Sequence, residues 1–318
     1  MNDRQRRFAG YLLALGAGSL WGTTGPLSTA LYAEGAALTG IGFWRILLGT
    51  IGLAAYGALF ARDLFRADRR AWLLVGLGGG ALVALFEVAY QFGIAGAGVA
   101  GAAALLYTAP VMVALLARPL LGERLTALRL GLAVAVMTGA AVTVMGGRQG
   151  AEFDDVALPS LLQGVAGGLL AAAAYAGTTM LARYAVPRYG VVKVLFLELV
   201  GGTAILGLLL PLFGQPPALP PTGEAWLYTI ALALGTVWLA NVFYFAALRR
   251  IEATPTAVAA TIEPVVGTLL AFFLLGQTLS ALGWLGLVMV VAGVAAGYLK
   301  EDFHRKEDRP WPRARRRR

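Results

Sequence analysis

Apolar residues run along this chain in blocks of about 20, separated by short polar stretches that hold nearly all the charge. An α-helix rising 1.5 Å per residue crosses a 30 Å hydrocarbon layer in roughly that length, so each block predicts a membrane-spanning helix. Ten spans follow, at approximately 8–33, 37–60, 72–94, 98–118, 125–146, 159–182, 191–213, 224–248, 253–275 and 280–299. The first resembles a signal peptide, because Arg4, Arg6 and Arg7 precede an apolar run. It is too long for an ordinary signal core, and its Trp21-Gly22 aligns with the sixth span, so it is read as a helix.

The pattern returns. Laying Pro110 on Pro264, an offset of 154, gives 14 identities in the 30 positions from Pro110 to Gly139, against roughly three expected from composition. The same offset maps Trp72 onto Trp226, Tyr90 onto Tyr244 and Trp21 onto Tyr175. The chain therefore divides into a first repeat at 1–147, a linker at 148–158, a second repeat at 159–300 and a basic tail at 301–318. Five helices per repeat force the second to insert upside down relative to the first. The predicted fold class is an all-α integral membrane protein of ten transmembrane helices in two inverted five-helix repeats, a symmetry suited to alternating access.

Composition agrees. Of 318 residues 58% are hydrophobic and 14% charged, which excludes an ordinary soluble domain. There is no cysteine, so neither disulfide nor thiol chemistry arises. The net charge of +9 is decided by its placement. Of the 26 Lys and Arg residues, 24 fall in alternate loops and the two ends, leaving Arg148 on the opposite side and Arg45 within a span. That bias orients both termini to the cytoplasm of a multi-pass inner-membrane protein. The tail ending Arg315-Arg316-Arg317-Arg318 reads as an orienting or anionic-lipid contact, and no nucleic-acid partner is expected.

Leu20-Trp21-Gly22, the run Pro110…Leu121-Gly122-Glu123-Arg124-Leu125-Thr126 and its echo at 264–280 resemble the EamA-type fold of the drug/metabolite transporter superfamily. The resemblance covers about residues 10–300 and implies a ten-helix exporter of small metabolites, with amino acids a frequent substrate class. Within the family the chain is most similar to the aromatic amino-acid exporters. It departs from many members at Gln277-Thr278, where an acidic–basic pair is usual.

Candidate chemistry follows from polar groups inside the spans. Trp21 lies too deep for the interfacial belt and reads as a cavity wall or a packing residue. Arg45 is either a clamp for a substrate carboxylate or the partner of Glu87, the acid nearest in depth. Glu87, Tyr90 and Gln91 share one helical stripe that should face the bundle interior. Tyr107 ends a small-residue face, and Pro110 and Pro264 are paired kinks that point to a binding site. Tyr175, Trp238, Asn241 and Tyr244 complete the expected walls. Glu198, in the inner half of its span, reads as snorkelling, salt-bridged or substrate-binding. Glu263 is a site for a substrate ammonium or a proton, or else a neutral acid bonded to a carbonyl. The fifth and tenth spans are scaffold and candidate homodimer contacts.

An intramembrane enzyme lacks its parts: the single histidine, His304, is in the tail and no aspartate lies in a span. No cofactor or metal is expected. The reading is a carrier exporting amino acids, aromatic or neutral, or similar small metabolites through a central cavity. The competitors are a multidrug or cationic-metabolite exporter of the same fold and, less favoured, a channel.

Overall fold

The computed structural model describes residues 3–146, 158–275 and 280–307, and every regular element in them is helical. Arg148, Glu152, Asp154 and Asp155 of the linker, residues 276–279 and the terminal arginines lie outside the described residues. In chain order the helices are α1 (Asp3–Gly22), α2 (Thr24–Ala33), α3 (Leu38–Phe60), the one-turn α4 (Arg69–Ala71), α5 (Gly80–Leu106), α6 (Ala109–Leu121) and α7 (Ala127–Gly146). They continue as α8 (Leu158–Tyr189), α9 (Val191–Leu212), α10 (Gly223–Leu232), α11 (Ala240–Leu248), α12 (Ala253–Ala260), α13 (Glu263–Leu275) and α14 (Ala281–Glu307). A π-helical stretch, Trp72–Gly79, joins α4 to α5, and another, Ala233–Leu239, joins α10 to α11.

Among the described residues eight helical segments are long and apolar enough to cross a membrane, with Ala127–Thr143 a shorter apolar helix. The first of the ten expected runs is not among the eight. It is interrupted at Thr23 and opens on Asp3, Arg4, Arg6 and Arg7. The spans expected on either side of 94–98 are among the eight, as Arg69–Gly96 and Gly101–Leu121, and α5 carries helical geometry from the one into the other. It bends sharply there: a Cβ on Gly93 would lie 3.3 Å from that of Ala102. Residues nine apart in a straight helix are about 13 Å apart. The glycines and alanines that make up most of this stretch offer little side-chain bulk to resist the bend.

Three breaks share one cause. Thr23, Tyr107-Thr108 and Thr261-Ile262 each precede a proline, Pro26, Pro110 and Pro264, by two or three residues. Proline offers no N–H to the carbonyl four residues back and its ring crowds that carbonyl. The chain tightens instead: the N–H groups of Thr23, Thr108 and Thr261 reach Leu20 O at 3.1 Å, Leu105 O at 3.0 Å and Val258 O at 3.3 Å. The threonine hydroxyls add bonds to Leu20 O at 2.7 Å, Leu105 O at 2.7 Å and Ala257 O at 2.9 Å. The second and third breaks stand 154 positions apart.

Packing follows the same offset. On α7 and α14, a Cβ on Gly286 would meet Thr143 N at 2.4 Å and one on Gly293 would meet Val136 Cγ2 at 2.5 Å. Rising numbers on one helix meet falling numbers on the other, so the two run antiparallel. Helices α3 and α9 do the same, with Phe43 facing Gly207 and Thr50 hydrogen-bonded to Thr203 at 3.0 Å. Gly96 packs on Gly164 between α5 and α8, and its counterpart contact is Gly10 on Arg250, beside Ile251, at α1. N-caps repeat as well: Asp68 accepts from Ala71 N at 2.8 Å and Thr222 from Ala225 N at 3.0 Å.

Candidate functional site

The two breaks meet. Tyr107, Ala109 and Pro110 from one and Ala260, Thr261 and Glu263 from the other line a pocket of about 30 Å³, closed on its far side by Trp21 and Tyr175. It adjoins a central cavity of about 170 Å³ that shares Trp21, Leu106, Tyr175 and Glu263. Helix α1 reaches the breaks because Gly18 and Gly22 have no side chains; a Cβ on Gly18 would lie 2.1 Å from Ala260 O.

The cavity wall is built from matched positions. Trp21 and Tyr175, Thr24 and Thr178, Arg45 and Leu199, Val83 and Val237, Glu87 and Asn241, and Tyr90 and Tyr244 all line it. Each pair is separated by the 154-residue offset, so equivalent positions build the wall, although Arg45 and Glu87 are charged and their counterparts Leu199 and Asn241 are not. Trp21 and Tyr175 touch edge-on at 6.0 Å between ring centroids, and Tyr244 leans on both at 5.2 and 5.7 Å. Three rings in mutual contact make a stiff apolar face with polar tips.

Polar partners fix these rings. The π-helical stretch Ala233–Leu239 disturbs the usual carbonyl pairing, and Thr236 O receives the indole N–H of Trp21 at 2.9 Å. Asn241 Nδ2 bonds Val237 O at 2.7 Å and Thr236 O at 3.3 Å, leaving its oxygen as the acceptor for the cavity. Thr179 donates its one hydroxyl proton to Tyr175 O at 2.9 Å, so Tyr244 is the donor in the 3.0 Å Thr179–Tyr244 contact. Tyr90 stacks on Phe86 at 5.7 Å.

Charges are unevenly placed. Arg45 and Glu87 form an ion pair on the cavity wall, and Glu87 is 5% exposed. Glu198 and Glu263 also face the cavity. Gln91 has its Nε2 near Gly42, beside the same pair. Trp238, expected in the wall with Asn241 and Tyr244, does not line the cavity. It packs against Gly52 and lies 6.2 Å from Tyr56. The π-helical stretch contains Trp238, and each residue of phase it shifts turns a helix face by about 100°. Thr24 and Thr178 line the cavity beside Trp21 and Tyr175, and Val83 lines it with no polar or aromatic signal in the sequence to mark it.

On the side rich in Lys and Arg, the cavity is underlain by a polar lock. Gly122, with φ +69°, ends α6 in the left-handed conformation, and Glu123 N bonds back to Ala117 O at 3.2 Å. This turn aims Glu123 at the start of α12, where it accepts from Ala253 N at 2.8 Å and Thr254 N at 3.5 Å. Arg183 lies 3.6 Å from the same carboxylate, Arg183 also bonds Leu248 O, and Arg129 pairs with Glu252. Burial raises the Glu123 carboxyl above its ordinary range, against the lowering effect of the Ala253 N–H. The lock ties residues of the first repeat to residues of the second.

The EamA-like transporter family model matches twice, over residues 8–145 and 162–298. The chain belongs to the EamA-like transporter family. It is a multi-pass membrane transporter. A similar protein, an uncharacterized transporter of Archaeoglobus fulgidus, is 27% identical over 271 residues, 85% of this chain and 90% of the relative. A solved crystal structure of another protein shares the fold, with a TM-score of 0.74 at 23% identity over 95% of this chain and 99% of that one.

Proposed function

We propose that this EamA-family transporter exports small amine-bearing metabolites, neutral and aromatic amino acids foremost, by alternating access through the central cavity. The observation that carries this is a cavity lined by six pairs of repeat-equivalent residues. A site on the symmetry element of two repeats is the one place that both an inward-open and an outward-open arrangement share. Ten membrane crossings, with the repeats inverted, fit the antiparallel pairs α3–α9 and α7–α14, each made of counterparts under the offset. Both termini then face the cytoplasm of the inner membrane, and the Glu123 lock is the inner gate.

Volume bears on the substrate. Drug-sized ligands occupy pockets of about 300–1,000 Å³. At about 170 Å³ the cavity suits a metabolite and disfavours the multidrug reading. A cationic metabolite is the second reading, favoured by one observation: Arg45, the cavity's candidate carboxylate clamp, is already paired with Glu87.

The test is counterflow in liposomes. Vesicles preloaded with phenylalanine are expected to accumulate labelled phenylalanine transiently and saturably, and empty vesicles are not. Equal uptake by loaded and empty vesicles, or an ohmic current, would refute a carrier for this substrate.

A further inference from the structure

Among the described residues, the cavity wall holds three carboxyl groups, Glu87, Glu198 and Glu263, and one guanidinium, Arg45. Arg45 is committed to Glu87. Glu198 stands apart from that pair. It is 1% exposed, and its Oε1 has no hydrogen-bond partner. Helices α3 and α9 run antiparallel with Phe43 facing Gly207 and Thr50 facing Thr203, so Glu198 lies about nine residues along the axis from Arg45. That is roughly 13 Å, too far for a direct pair.

The surroundings make room for this carboxyl without satisfying it. A Cβ on Gly79 would lie 2.6 Å from Glu198 Cγ and 3.1 Å from its Oε1, so the niche exists because position 79 is glycine. Gly79 closes the π-helical stretch Trp72–Gly79, a local distortion often found at functional sites. Leu181 of α8 fills the other side, and Leu195 and Leu199 flank Glu198 on its own helix. The other titratable groups lining the cavity are Tyr90, Tyr175, Tyr244, the Arg45–Glu87 pair and Glu263. A carboxyl with apolar walls and no partner must be neutralised by a proton or by a cation, since an isolated carboxylate there costs several kcal/mol.

We infer that Glu198 is the exchange site of the cavity: it holds a proton when the cavity is empty and the ammonium group of an amine-bearing substrate when it is filled. This rests on the transporter reading above and adds the coupling to it. The step balances: the carboxylic O–H proton leaves to water, the carboxylate pairs with the incoming R–NH3+, and one proton is released per amine bound. The ring face of Trp21, Tyr175 and Tyr244 holds the apolar part of the substrate and adds cation–π attraction. Export of the amine is thereby exchanged for entry of a proton.

Phenethylamine, phenylalanine and hydrocinnamate separate the possibilities, being cationic, zwitterionic and without an ammonium group. Titration calorimetry of the full chain in buffers of different ionisation heat should show up to one proton released per phenethylamine bound, and none on exposure to hydrocinnamate. The apparent Kd for phenethylamine should weaken about tenfold per pH unit on the acid side of the exchange, and Glu198→Gln should flatten that slope. Glu198→Asp should keep the slope at lower affinity. Phenylalanine behaving like phenethylamine assigns a zwitterionic substrate; phenethylamine alone assigns a cationic one. Amine binding without proton release, or a wild-type slope in Glu198→Gln, overturns the exchange site and leaves the transporter reading standing. Failure of both amines to bind overturns the exchange site and the amine-substrate reading together. Should Glu198→Gln fail to fold, proton release by the wild type and the slope in Glu198→Asp decide.

Discussion

Arg45→Met alone is expected to unfold most of the protein at temperatures the wild type survives. So is Glu87→Met alone. Each leaves the opposite charge buried without its partner, and breaking a buried pair from one side costs about 3–5 kcal/mol. Glu87 is 5% exposed, so water does little to compensate. The double substitution Arg45→Met with Glu87→Met should recover most of the loss, because two apolar side chains replace two mutually neutralising ions. Thermal unfolding in detergent, followed by tryptophan fluorescence, reads all four corners of the cycle. Counterflow on the double variant then separates the roles of Arg45. A structural pair predicts substrate exchange within about tenfold of wild type, whereas a carboxylate clamp predicts its loss in a protein that folds. Single variants as stable as the wild type would contradict the pairing.

The second large effect belongs to packing. A Cβ on Gly201 would sit 1.8 Å from Gly76 O and 3.2 Å from Gly80 Cα, so even alanine forces two backbones apart. Overpacking a well-filled interior costs about 1–3 kcal/mol, and a clash with backbone, which has no rotamer to yield, belongs at the top of that range or above. The contact also sets the π-helical stretch that ends at Gly79, against which Glu198 rests. Gly201→Ala is therefore expected to lower both the yield of monodisperse protein and the melting temperature. Gly131→Ala is the control: nothing lies within 4 Å of its Cβ, and the change should stay within about 1 kcal/mol. Equal behaviour of the two variants would show that α9 does not pack on the π-helical stretch as described.

Much of this architecture is written in the residue pattern, and the exceptions have physical reasons. Pro110 and Pro264 mark where two helices break, because proline's missing N–H is a local property of the chain. The likeness of depth between Arg45 and Glu87 points to their pairing, since depth follows from helical rise alone. Which residues share a cavity is less legible. Helical spacing orders side chains around one axis and does not say which axis turns toward which. Trp238 illustrates this: it lies on a stripe with Asn241 only if the helix is regular, and the π-helical stretch breaks that regularity. The sequence offers Glu198 as a candidate and hides its unpaired niche for a related reason, because that niche depends on Gly79, more than 100 positions away. The role of Glu123 as a cap on α12 is likewise a long-range bond, from Glu123 to Ala253. The bend within α5 falls at the interruption between the expected spans 72–94 and 98–118, in a stretch rich in glycine and alanine.

The two-repeat account stands or falls on which side of the membrane equivalent positions face. Arg70, just after the Asp68 cap, and Glu224, just after the Thr222 cap, are exposed counterparts under the offset of 154. The chain has no cysteine, so Arg70→Cys and Glu224→Cys each create a single thiol. Labelling with a membrane-impermeant maleimide, in right-side-out and in inverted vesicles, reads their sides directly. Inverted repeats predict that Glu224→Cys reacts only from outside and Arg70→Cys only from the cytoplasmic face. Both thiols reacting from the same face would contradict the inversion, and with it alternating access through a cavity shared by the two halves.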